Sequence, residues 1–408
     1  MFRPANWFVL SAVLTTFFVV DFNVALADDD NTAWQAPSWA MSPDEIEAFK
    51  REKSRPDTLT ALKSRSPNQA QQEIGKRITR YYLSQLLLPE NQDLPRTVID
   101  KFLLDVFYPS ISDEMREVLL KEAVAQVPTL MDHPDPVVRV NAINLLNHCS
   151  VTKPGTGVNP EPPQPFVPSM VPLIAETKNQ SQQWIVRNMA IVGLTRILRD
   201  GNPSTSERST IADALIQALK DAKGELWWFR RQIVEALGYA NRHDLTTGQP
   251  AIIETLLVVL SDKTENVRVR SYAALSISRI PWPAAVNDEL IAEKVAELLV
   301  DISELQMKKP NHPVWRDCYL PAYLAFRPSY ETDATQKKWG FLYKTAPASP
   351  AIGKLWKVAF PVLKPFVPKS ETYPPAVPQA RLDALKAYLE ANKAQNRKVH
   401  PQGDVDFK

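Results

Sequence analysis

Five stretches of the chain carry one pattern of apolar and polar positions: VVRVNAINLL from Val137, IVRNMAIVGL from Ile185, WFRRQIVEAL from Trp228, RVRSYAALSI from Arg268 and VWRDCYLPAY from Val314. When they are aligned on the shared arginine (Arg139, Arg187, Arg230, Arg270, Arg316), apolar residues recur at offsets −1, +3, +4 and +7. In the first copy these are Val138, Ala142, Ile143 and Leu146, and in the second Val186, Ala190, Ile191 and Leu194. At about 100° per residue the four offsets span an arc of about 140°, the width of a helix face turned to a core. Ahead of each copy runs another apolar stretch of helical spacing, within residues 113–127, 168–177, 208–222, 250–262 and 287–302. The pattern therefore predicts five helix pairs.

The arginines are separated by 48, 43, 40 and 46 residues. The longest interval contains the loop VTKPGTGVNPEPPQPF, whose five prolines place it at the surface. Self-similarity at a period of about 40–47 residues marks repeats built from helix pairs. These five segments in register resemble the HEAT-repeat family over residues 113–327. The resemblance implies an all-α fold, a HEAT-like α-solenoid of about five helix pairs. Its second helices would line the concave side, and its repeat arginines would be structural.

Flanking patterns complete the expected organisation. Residues 1–27 read as a signal peptide: Arg3, a 14-residue apolar run from Trp7 to Val20, then Ala25-Leu26-Ala27 before three aspartates. Residues 28–65 form an N-terminal extension with one short helix opened by Ser42, Pro43 and Glu45. The solenoid occupies 66–327, starting with a capping pair: a helix opened by Ser66-Pro67 and a partner over 98–107. Residues 328–408 form a Pro-rich tail with a terminal amphipathic helix. Eight prolines between Pro347 and Pro378 predict extended chain, packed on the last repeats by Trp356, Phe360 and Phe366, and the last nine residues should fray.

The arginine falls inside the apolar arc. Its stem must run along core surface, and its guanidinium must find carbonyls or a carboxylate, because a buried unpaired charge is prohibitively costly. Asp135 stands four before Arg139, but Gln183, Leu226, Asn266 and His312 hold the equivalent places. The expected partners are therefore backbone carbonyls rather than a continuous row of aspartates. Offsets +1, +2 and +5 point away from the core and give the candidate partner-binding face: Asn141, Asn144, Asn188, Met189, Arg231, Gln232, Glu235, Ser271, Tyr272 and Asp317. Trp228, two before Arg230, tips towards the same face. Trp, Tyr, Met and Arg are the residue types that anchor protein interfaces.

Composition narrows the function. With 48 basic and 46 acidic residues the net charge is +2, and the face is mixed in sign, so no basic stripe for nucleic acid is present. Eleven glycines, with no P-loop, GxGxxG, GxSxG or HExxH, point away from nucleotide sites, acyl-transfer triads and zinc proteases. The five histidines are scattered, and Cys149 and Cys318 have no metal-ligand spacing. They stand too far apart in the repeat order for a disulfide. The expectation is a non-catalytic exported scaffold, periplasmic or extracellular, without a cofactor. It would bind a protein or peptide partner along the concave face and would not be held in a membrane once its leader is removed. Two other readings stay open. One is a HEAT-type enzyme or cofactor handler, since VEALG at 234–238 resembles the shorter repeats of tetrapyrrole lyases; the other is cell-wall polysaccharide binding through Trp228 and Tyr272.

Overall fold

The computed structural model describes residues 34–92, 95–107, 111–153, 155, 161–327, 339–344, 349–367 and 375–408. The expected signal segment and its cleavage point at Ala27 lie outside the described residues. The chain divides into two units, Met1–Gln35 and Ala36–Lys408, and the second carries the structure set out below.

Among the described residues the protein is all α-helical, with seventeen α-helices and no strand; Ser150 and Pro165 form an isolated antiparallel bridge. The N-terminal helices are α1 (Pro43–Glu52), α2 (Pro56–Leu62), α3 (Gln69–Leu87), α4 (Pro89–Gln92) and α5 (Pro95–Val106). Ten more follow in chain order: α6 (Asp113–Gln126), α7 (Pro136–His148), α8 (Met170–Lys178), α9 (Trp184–Asp200) and α10 (Thr205–Asp221). Then come α11 (Trp227–Leu237), α12 (Ala251–Ser261), α13 (Val267–Arg279), α14 (Asp288–Lys308) and α15 (Val314–Phe326). The chain finishes with α16 (Pro350–Leu363) and α17 (Gln379–Ala391).

Local chemistry sets many of these starts. Ser42 and Ser204 each accept from the backbone three residues on, while Glu45 and Glu207 reach back to the cap, a reciprocal arrangement that satisfies two orphan N–H groups. Asn68 and Gln71 do the same for α3, so that helix begins two residues beyond the Ser66-Pro67 start read from the sequence. Asp135, Asn266 and Asn287 cap α7, α13 and α14. In space α7, α9, α11, α13 and α15 pack each against the next, and so do α8, α10, α12 and α14. Every residue at offsets −1, +3, +4 and +7 in α7, α9, α11 and α13 is buried.

The flanks differ from the sequence reading. The N-terminal extension holds two helices, and both pack on α3 through residues such as Phe49 and Leu62. The tail is not simply extended: residues 350–363 are helical despite Pro361, because Pro350 sits at the permitted first turn and the apolar run is long enough to bury one face. Here α16 packs on α14 and α15, and Phe366 stacks on Tyr319 with ring centres 3.9 Å apart. The C-terminus does not fray. Arg397 Nη1 and Nη2 reach Glu293 at 2.8 and 2.9 Å, the Asn287 amide donates to the Asn396 and Lys398 carbonyls, and Val399 and Phe407 are buried. Segment composition does not show such long-range partners.

Candidate functional site

The second helices enter the structure in one register. The repeat arginine is the fourth residue of α7, α9, α11 and α13 and the third of α15. From that place Arg230 donates to the Leu219 and Ala222 carbonyls, at 2.9 and 3.0 Å, and from Nε to Glu265 at 2.7 Å. Arg270 likewise takes the Leu260 carbonyl at 2.9 Å and Asp301 at 2.8 Å. Arg139 donates to Gln182 Oε1 at 2.6 Å. Arg316 is half-buried in the first turn of α15. Carbonyl partners were expected, and those of Arg230 and Arg270 belong to the helix just before in the chain, whereas the side-chain acceptors lie 31–43 residues further on. Gln182 and Glu265 each stand one residue before a helix cap, a position the sequence reading passed over.

Arg187 breaks this series. It is 94% buried, at 6% exposure, yet its Nε finds no acceptor among the described residues. Its guanidinium lies over the Phe229 ring, 5.1 Å from the centroid. The equivalent acceptor position before α11 is Glu225, which is exposed.

The outward side of the second helices carries interleaved guanidinium and aromatic groups. Trp184 and Trp228 meet edge to face, 4.9 Å between centres. Arg268 stacks on Trp227 at 4.2 Å, Arg231 on Tyr272 at 4.9 Å, and Arg279 on Tyr239 at 4.4 Å. Asp317 and Glu235 lie 3.8 and 3.7 Å from Arg268 and Arg279, near enough for attraction but too far for a hydrogen bond. Arg231 Nε, Arg268 Nε, Arg279 Nη1 and Asn188 Oδ1 are shut off from solvent with no hydrogen-bond partner among the described residues. Burial raises the Tyr272 phenol, Arg231 opposes that, and Glu235 and Asp317 reinforce it.

Of the residues expected on this face, Asn144, Asn188, Met189, Arg231, Gln232, Glu235 and Tyr272 are half-buried, and Asp317 is exposed. Trp228 is half-buried against Trp184 rather than free. Asn141 and Ser271 are corrections: they are 4% and 0% exposed. Asn141 donates to the Gln92 carbonyl and Ser271 to that of Val267. The reason is angular. Relative to the arginine, offsets +1 and +2 sit at about 100° and about 200°, each only about 60° beyond an edge of the apolar arc. Those are the flanks on which the neighbouring helices pack, so +1 of one helix meets +2 of the next, as Arg231 meets Tyr272. The centre of the open side lies at +5, −2 and +9, all within about 20° of 160°. Extending the same wheel to −2 and +9 would have found Arg268, Tyr239 and Arg279, which the sequence reading missed.

A cleft of about 890 Å³ opens between α10 and α12, with Trp227 and Arg230 in its lining. Several of its charges are already used: Arg230 with Glu265, Glu254 with the Val405 N–H at 3.0 Å, and Asp262 with Thr264. Among the described residues no three His, Cys, Asp or Glu side chains converge as metal ligands, and no helix is long and apolar enough to cross a membrane. Comparison of the chain with family models, curated proteins and solved structures finds no match.

Proposed function

We propose that the protein is a non-catalytic exported scaffold, a HEAT-like α-solenoid of five helix pairs that binds a protein or peptide segment along its second helices. Support for the solenoid reading comes from the common arginine register and from second helices that pack each on the next. The observation that carries the binding reading is the row of Arg, Trp and Tyr side chains with buried, unanswered N–H groups. Leaving such donors without acceptors costs about 1–3 kcal/mol each, which a partner supplying acceptors recovers on docking. A polysaccharide has less to grip, because the Tyr272 and Trp227 rings are already faced by guanidinium groups and Trp228 packs on Trp184.

A photocrosslinking side chain at Gln232 or Asn188 tests this in the native host's exported fraction. It should recover a defined partner that the same group at Gln217, on the exposed side of α10, does not. Equal recovery from both places would overturn the assignment of the face.

A further inference from the structure

Building on the reading that this face binds a partner, we infer that the segment it takes is acidic, with carboxylates that answer the free donors of Arg231, Arg268 and Arg279. Two independent observations converge on this chemistry. The first is charge. The open side between α9 and α13 presents Arg231, Arg268 and Arg279 against Glu235, with Asp317 from α15, so cations outnumber anions where a ligand would lie. These acids stand at 3.7–3.8 Å and leave Arg268 Nε and Arg279 Nη1 without hydrogen bonds among the described residues.

The second observation is the set of guanidinium donors on this face that the fold leaves unanswered: Arg231 Nε, Arg268 Nε and Arg279 Nη1 have no hydrogen-bond partner among the described residues. Guanidinium forks match carboxylate oxygens two at a time, so the row favours Asp and Glu over neutral acceptors. The aromatic faces already stacked on the arginines hold those forks in place, which lowers the ordering cost of binding.

Fluorescence anisotropy of the full chain with three labelled decamers tests the inference: alternating Glu-Ser, Gln-Ser and Lys-Ser. The Glu-Ser peptide should bind tightest, weaken as salt rises, and change the tryptophan emission of Trp184, Trp227 and Trp228. The pair R231Q and R268Q together should reduce its affinity at least tenfold, while K354Q with K357Q, exposed on α16, should leave it unchanged. R231K, which keeps the charge but loses the fork, should fall between, and it serves if the double variant does not fold. Equal binding of Gln-Ser and Glu-Ser, or equal losses from the two variant pairs, would overturn the acidic assignment while leaving partner binding at the face intact. Failure of all three peptides, together with no crosslinked partner from Gln232, would bring down the face itself.

Discussion

Replacing Arg230 with Met tests whether the repeat arginines fasten one helix pair to the next. Arg230 spans three elements: it holds the Leu219 and Ala222 carbonyls at the end of α10 and the Glu265 carboxylate ahead of α13. Both partners of the ion pair are well shielded, with side-chain exposures of 12% and 8%. Removing one partner of a buried pair strands the other, at a cost of about 3–5 kcal/mol. Met fills much of the stem's volume, so little of the loss comes from packing. Glu265→Gln keeps an acceptor but loses the charge, and should cost about 1–2 kcal/mol. Because each single change disables the same interaction, the double variant should cost less than the sum by at least about 1.5 kcal/mol. Urea titration followed by circular dichroism reads the total. Hydrogen exchange at α12 and α13 reads the local opening, which matters because repeat arrays unfold in parts. An Arg230→Met cost below about 1 kcal/mol that simply adds to that of Glu265→Gln would refute the fastening role.

Three further outcomes follow from particular contacts. A methyl group at Gly193 would collide with Asn147 Oδ1 and come within 2.8 Å of Leu173 Cδ1, so Gly193→Ala should lower stability by about 1–3 kcal/mol, read as a lower urea midpoint at unchanged slope. Burial alone would raise the Glu293 carboxyl, but hydrogen bonds from Arg397 and the Ala394 N–H, with Lys294 beside it, hold it down at about 2. A depressed acid stabilises the fold fully above its ordinary value of 4.5 and loses that contribution as the pH falls towards 2. Exchange protection around Val399 and Phe407 should therefore weaken across that window, and Glu293→Gln should weaken it at pH 7; protection independent of pH would contradict the anchor. Cys149 and Cys318 are free, buried thiols pushed up to about 12 by desolvation, so both should resist maleimide at pH 8 in the native protein and react in urea.

How far the sequence reached depends on the range of the physics involved. The helices were legible because a one-sided apolar face is written at local spacing, and Val186, Ala190, Ile191 and Leu194 are all buried as the wheel put them. The arginine's carbonyl partners were legible for a similar reason: they lie 8–11 residues away in α10 and α12. Its side-chain partners were not, since Gln182, Glu265 and Asp301 stand 43, 35 and 31 residues further on and need the stacking to be known first. Asn141 and Ser271 failed on the same ground. Their burial is decided by what covers the flank, α4 for Asn141, and no single-helix wheel contains that information.

The same residue type does opposite things one position apart, and this separation makes the two roles testable independently. Arg230 points into the seam between pairs, where every donor with an assigned contact has an acceptor; Arg231, next in the chain, lies over Tyr272 with Nε unanswered. Saturated donors contribute to the fold and have nothing left to offer a partner, whereas unsatisfied ones cost stability until something docks. Substituting Arg231 or Arg268 with Gln should thus leave the urea midpoint unchanged or raise it, by up to about 1 kcal/mol, while partner binding falls. Substituting Arg230 or Arg270 should do the reverse, lowering the midpoint first and affecting binding only through lost structure. If both sets moved stability and binding together, the face and the fastening would be one network, and the division between neighbouring positions would be wrong.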